Sequence, residues 1–127
     1  MITAVHTLIY SDEPDATRAF LTDVLRWPSI NVGGGWPIYA TGPSELGVHP
    51  TSNEHEGVVH TSPRQHEIAL VCDDITTTVA ELTGRGARFT REIRDEGWGL
   101  TAPVEVPGAD PILIYQARHP LAAFGVN

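Results

Sequence analysis

Glu67-Ile68-Ala69-Leu70-Val71-Cys72-Asp73-Asp74 opens the second half of this 127-residue chain. Ile68 to Cys72 is a continuous apolar run of strand length. Asp73 and Asp74 then serve as helix caps, because a short carboxylate accepts from the free N–H groups of a first helical turn. Ile75, Val79 and Leu82 recur on one helical face, and Gly84 and Gly86 end the helix. Strands are predicted near Ala87 to Ile93, Trp98 to Val106 and Ile112 to Gln116. The unit reads strand, capped helix, three strands.

Working back toward the N-terminus, the same order is found again. Thr3 to Tyr10 is rich in β-branched and aromatic residues and reads as a strand. Ser11-Asp12-Glu13-Pro14 follows, with Asp or Ser as cap and Pro14 in the first turn. The helix is predicted to run to about Leu25, with Ala16, Phe20 and Val24 on one face. Three strands are expected near Ser29 to Val32, Trp36 to Thr41 and Glu45 to His49. Gly33-Gly34-Gly35 reads as a hairpin turn, because it lacks the Lys-Ser/Thr ending of a phosphate loop. At an offset of 61, Asp12 meets Asp73, Thr17 meets Thr78, Ala19 meets Ala80, Leu21 meets Leu82 and Thr22 meets Thr83. With one further residue, Trp36 meets Trp98 and Ala40 meets Ala102. The fold class is therefore α+β, one domain of two βαβββ modules spanning about residues 2–50 and 66–120. The polar stretch between them, about 51–65, reads as a linker or mobile flap.

Composition narrows the function classes. The net charge is −8, and all eight cations are arginines. Without lysine there is no Schiff base and no P-loop. The negative charge disfavours nucleic acid. Arg85, Arg88, Arg91 and Arg94 interleave with Glu92, Asp95 and Glu96 and read as a solvated surface. No apolar run approaches the ~20 residues that span a bilayer, and the N-terminus lacks the pattern of a signal peptide. The single cysteine, Cys72, reads as a buried structural thiol, and a reducing cytoplasm is the expected compartment. His55, His60 and His66, irregularly spaced in the polar stretch, read as surface histidines.

His6-Thr7-Leu8 before an acidic helix start, Phe20 with Val24-Leu25, Glu67 to Asp74, and Ile112 to Gln116 after Val106-Pro107-Gly108-Ala109-Asp110 together resemble the vicinal oxygen chelate superfamily. That superfamily contains glyoxalase I, bleomycin-resistance proteins and extradiol dioxygenases. The resemblance runs from Ile2 to about Pro120. It implies that each module curls into a half-barrel and that paired modules enclose a cavity. In the metalloenzymes of the superfamily, first and fourth strands of each module supply the ligands of a divalent ion.

Carried onto this chain, the resemblance implies His6, Glu45 and Glu67 as metal ligands for Mn, Fe, Ni, Zn or Mg. The fourth position is Leu113, which has no donor atom, and His66 is displaced by one residue from Glu67, to the other face of the strand. A metal-free cavity is the alternative. Glu67 or Glu45 is the candidate general base. Tyr10, Trp36, Tyr39, His49, Trp98, Leu113 and Tyr115 are candidate ligand-binding residues, since flat aromatic side chains suit an apolar or aromatic ligand. Three functions remain open: a metal-dependent lyase, isomerase or dioxygenase; a binding protein that sequesters a drug or metabolite; and a domain without a small ligand. A homodimer is expected, because half-barrels expose apolar surface and open edges.

Overall fold

The computed structural model describes residues 6–31 and 37–122. Helix α1 spans Pro14–Ala19 and runs on as a π-helical turn, Phe20–Val24. β1 (Ser29–Asn31) pairs antiparallel with β2 (Pro37–Tyr39). β3 (Ser52–His55) and β4 (Val58–Thr61) form a separate hairpin. Then come β5 (Ala69–Val71), helix α2 (Ile75–Gly84), β6 (Arg94–Asp95), β7 (Gly99–Val106) and β8 (Ala109–Ala117). These last strands form one sheet in the order β5-β8-β7-β6, with β5 parallel to β8 and the other pairs antiparallel. Among the described residues no sheet closes into a barrel, and no helix is long and apolar enough to cross a membrane.

The second module is therefore present in the predicted order. Asp74 caps α2, its carboxylate accepting from the Thr77 N–H at 3.1 Å. Gly86 takes φ +95°, the left-handed conformation that ends the helix. The β7–β8 register places Ala102 opposite Ile114 and Val104 opposite Ile112. These four are buried with Ile75 and Leu82 of α2, so the core lies between that helix and one face of the sheet. Thr101, Pro103, Leu113 and Tyr115 alternate with them and face the other way, onto a more open side where Pro103, Leu113 and Tyr115 are half-buried and Thr101 is covered by Arg91. Ala69 and Val71 of β5 join this open face through their pairing with Leu113 and Tyr115.

Several expectations change in the structure. Residues 6–10 and 45–49 form no strand, and their side chains are largely exposed. An isolated extended segment has no partner for its backbone groups except water, and alternation alone does not supply one. The strand expected over Ala87 to Ile93 shrinks to a single bridge, Phe89 to Val104, followed by two-residue β6. The stretch expected to be a linker contains β3 and β4, joined by a two-residue turn. Glu56 and Gly57 both have positive φ there (51° and 79°), the geometry of a type I′ hairpin turn. The Gly33-Gly34-Gly35 turn lies outside the described residues.

The repeat is legible in hydrogen bonds. Thr17 N–H donates to Glu13 O and Thr78 N–H to Asp74 O, both at 3.0 Å and 61 residues apart. Ser11 Oγ lies 2.7 Å from the Thr17 hydroxyl, and the Cys72 thiol is a hydrogen-bond partner of Thr78. Cys72 is half-buried rather than fully buried, and burial raises its thiol pKa. The helices differ by one residue. Ala87 N–H donates to Leu82 O, whereas Trp27 N–H donates to Leu21 O, one position further along. Arg26, at φ 58°, stands where Gly86 stands in the second copy. The π-helical turn holds the extra residue.

Besides packing of Phe20 and Leu21 into the shared core, hydrogen bonds tie the modules together near both ends of the first helix. The β7–β8 turn lies against the start of α1. There Thr17 donates to Pro107 O (2.6 Å), and Ser11 donates to Gly108 O (3.0 Å). A Cβ at Gly108, which has φ +80°, would fall on Ser11 Oγ and the Glu13 backbone. At the other point, Arg85 donates to Val24 O (3.0 Å), a contact across 61 residues that links equivalent positions of the two helices.

Candidate functional site

The open face of the sheet gathers the most chemistry. Gly97 (φ +87°) turns the chain so that Trp98 precedes β7, and Trp98 packs edge-on against Tyr115 with ring centroids 5.3 Å apart and planes at 70°. Gly99 allows this approach, because a Cβ there would overlap the Tyr115 ring. Trp98 stays 51% exposed. Tyr115 Oη lies 2.5 Å from His119 Nε2, and His119 Nδ1 lies 2.9 Å from Pro120 O. A carbonyl oxygen can only accept, so Nδ1 is the donor to Pro120, and in the neutral imidazole Nε2 accepts from the Tyr115 hydroxyl.

Glu45 reaches the same place. Its Oε1 accepts the Ala122 N–H at 3.0 Å, which holds the C-terminal residues against the segment containing Glu45. Burial, and secondly the nearby Glu45 carboxylate, raise the Tyr115 pKa, so the phenol keeps its proton. The cluster thus unites three residues read from the sequence, Glu45, Trp98 and Tyr115, with Leu113 on the same face two positions from Tyr115. It adds His119, which that reading missed. His119 lies beyond the last strand, next to a proline, where no periodicity assigns a face. Its only signal is the spacing of four from Tyr115.

Other predicted site residues lie elsewhere. His6 is exposed in an extended segment. Glu67, two residues before β5, is exposed and accepts from Gln65 Nε2 at 3.0 Å. Among the described residues no three His, Cys, Asp or Glu side chains come together to hold a metal, so His6, Glu45 and Glu67 do not form a ligand set. Tyr10 is 88% exposed, and His49 is exposed as well. Tyr39 donates its hydroxyl to Arg18 O (3.1 Å) and accepts from Thr22 (2.8 Å). Trp36 lies outside the described residues.

The arginine run is not merely a solvated surface. Arg91 donates to Thr101 O (3.0 Å) and Thr101 Oγ1 (2.9 Å), and Thr101 is nearly fully buried. Glu96 lies 3.7 Å from Arg91 and 3.8 Å from Arg94. Arg118 grips Asp95 with both terminal nitrogens, at 2.6 and 2.8 Å. This pairing brings the Asp95 carboxyl down to about 2. The open face is thus edged by paired charges.

Two hollows lie away from this cluster. One, of about 350 Å³, is lined by Phe20, Ala87, Arg88, Glu105, Val106 and Pro107, where the two modules meet. The other, about 210 Å³, lies along the β1–β2 ribbon beside Ile30, Ile38 and Tyr39.

Comparison with known proteins agrees with this architecture. No curated protein matches the chain. Among solved structures, lactoylglutathione lyase from Agrobacterium tumefaciens superposes with a TM-score of 0.60 at 14% identity, covering 91% of this chain and 94% of that one. TnmS3, an antibiotic binding protein from Streptomyces sp. CB03234, gives 0.55 at 13% identity, covering 91% and 99%. A superfamily member from Sphaerobacter thermophilus gives 0.54 at 19% identity, covering 91% and 98%. At these identities the likeness is one of fold. The family model matches residues 3–111, most of the chain. The chain belongs to the Glyoxalase/Bleomycin resistance protein/Dioxygenase superfamily.

Proposed function

We propose that this protein binds a small organic molecule on the open face of the four-stranded sheet, over Trp98, Leu113 and Tyr115, without chemistry of its own. The observation that carries this reading is the Trp98–Tyr115 pair, an aromatic surface of an exposed indole packed edge-on against a half-buried tyrosine. Aromatic walls with a few placed polar groups are the usual lining of a small-molecule site. Among the described residues, the expected ligand positions do not fit a divalent ion. Leu113 offers no donor, and His6, Glu45 and Glu67 are not gathered. Sequestration is therefore favoured over metal-dependent lyase, isomerase or dioxygenase activity.

A second copy of the chain belongs to this proposal. Leu46 and Val48, 92% and 91% exposed, stand in a segment that pairs with no sheet. A homodimer would cover such surface, and the partner would wall the open face.

Binding is tested by isothermal titration of the protein with aromatic ligands, in wild type and Trp98→Ala. Loss of binding in the variant is expected, and unchanged binding would place the site elsewhere. Elemental analysis of protein purified without chelator tests the metal-free reading. Near-stoichiometric metal that is lost on His6→Ala would overturn it.

A further inference from the structure

We propose that the hollow where the two modules meet binds a free α-amino acid with an apolar side chain. This site is separate from the open face. Its volume, about 350 Å³, lies within the range of small-molecule pockets, roughly 300 to 1,000 Å³, whereas the 210 Å³ beside the β1–β2 ribbon falls below it. Two departures from regular structure converge on this hollow. The π-helical turn opens at Phe20, and the β7–β8 register shifts between Val104 and Val106, a bulge at Glu105. Insertions of both kinds re-aim side chains and are over-represented beside functional sites. Phe20, Ala87 and Val106 are buried and give the hollow an apolar lining.

The charges around it select the ligand. Of the eight arginines, Arg18, Arg91, Arg94 and Arg118 lie against carboxylates, and Arg85 donates to Val24 O. Arg26 and Arg64 line neither hollow. Arg88 lines this one, and among the described residues its side chain has no hydrogen-bond or ion-pair partner. Glu105 lines it too, and its carboxylate is likewise without a partner among the described residues. The Glu105 N–H donates to Arg88 O at 2.7 Å, so the two backbones are adjacent although no ion pair joins the side chains. An acid without an amine would face Glu105, and an amine without a carboxylate would face Arg88, a like charge in each case. An α-amino acid carries both groups on one carbon. It bridges the two residues by charge-assisted hydrogen bonds while its side chain covers Phe20, Ala87 and Val106.

The test is titration of the full chain at neutral pH, followed by the backbone amide shifts in NMR. The probes are L-leucine, 4-methylpentanoate (leucine without its amine) and 3-methylbutylammonium (leucine without its carboxylate). L-leucine is expected to shift the amides of Gly86, Ala87 and Val106 and to bind about fivefold tighter than either analogue. Arg88→Gln and Glu105→Gln, both changes at exposed side chains, are each expected to weaken L-leucine about fivefold, while Trp98→Ala leaves it unchanged. An analogue that binds as tightly as L-leucine, or no response to any probe, would overturn the proposal. So would unchanged L-leucine affinity in either charge variant. Shifts confined to other residues, or binding lost in Trp98→Ala, would place the amino acid on another surface and overturn it as well.

Discussion

Asp95 is exposed, yet Arg118 holds both its oxygens and the Gly97 N–H donates to it. The Arg118 hydrogen bonds are the main cause of its descent from 3.8 to about 2. A carboxyl whose folded pKa is depressed contributes stability above its unfolded pKa, and that contribution is lost as pH falls through the folded value. Melting temperatures recorded from pH 6 down to pH 2 are therefore expected to fall more steeply below about pH 4 in wild type than in Asp95→Asn. Parallel curves would show that the pair is too well solvated to matter. At this scale the sequence was a partial guide. Trp98 and Tyr115 were legible as aromatic strand residues, and Glu45 by its place in the repeat. The use of Arg91 on buried Thr101 was not, because interleaved charges look the same whether they are solvated or paired across a sheet.

The β3–β4 hairpin belongs to the scale of elements. Apart from Val58 and Val59, both exposed, its residues are polar, and a run of Ser, Asn, Glu and His carries no buried face by which a strand is recognised. The turn held the missing signal. A type I′ turn needs φ above zero at both central positions, which Gly57 meets freely and Glu56 meets under strain. Glu56→Asn is expected to stabilise the hairpin by about 1 kcal/mol, visible as slower amide exchange of the β3–β4 backbone. Faster exchange would show that Glu56 has a compensating contact. Helix α2 is the opposite case. Its cap, apolar face and terminating glycine were all in the sequence, and Asp74→Ala is expected to cost about 1 kcal/mol in a denaturant titration.

For the whole molecule, the two halves differed in how much could be read. The second module's strands carry apolar runs that bury against α2, so pattern and packing agree. In the first module, residues 45–49 alternate as a strand should but have no neighbouring strand to pair with. Their structure depends on what covers them, which a single chain's pattern does not contain. If a second copy does, the melting temperature will rise by about 2–4 °C for each tenfold increase in protein concentration. Sedimentation at the same concentrations should show the dimer. A concentration-independent transition with a monomer peak would remove the second copy from the proposal.

The extra residue in the π-helical turn also orders events in time. A length difference between two copies of one unit must have arisen after the unit was duplicated, whichever copy changed. Tyr39 donates to Arg18 O in the region of that defect. Its counterpart by the Trp36–Trp98 alignment is Thr101, whose hydroxyl is engaged with Arg91 and Glu96. The two positions have taken up unrelated duties, one bonding to a helix carbonyl and the other anchoring charges. Ancestral reconstruction should therefore find this pair of roles only on branches later than the duplication.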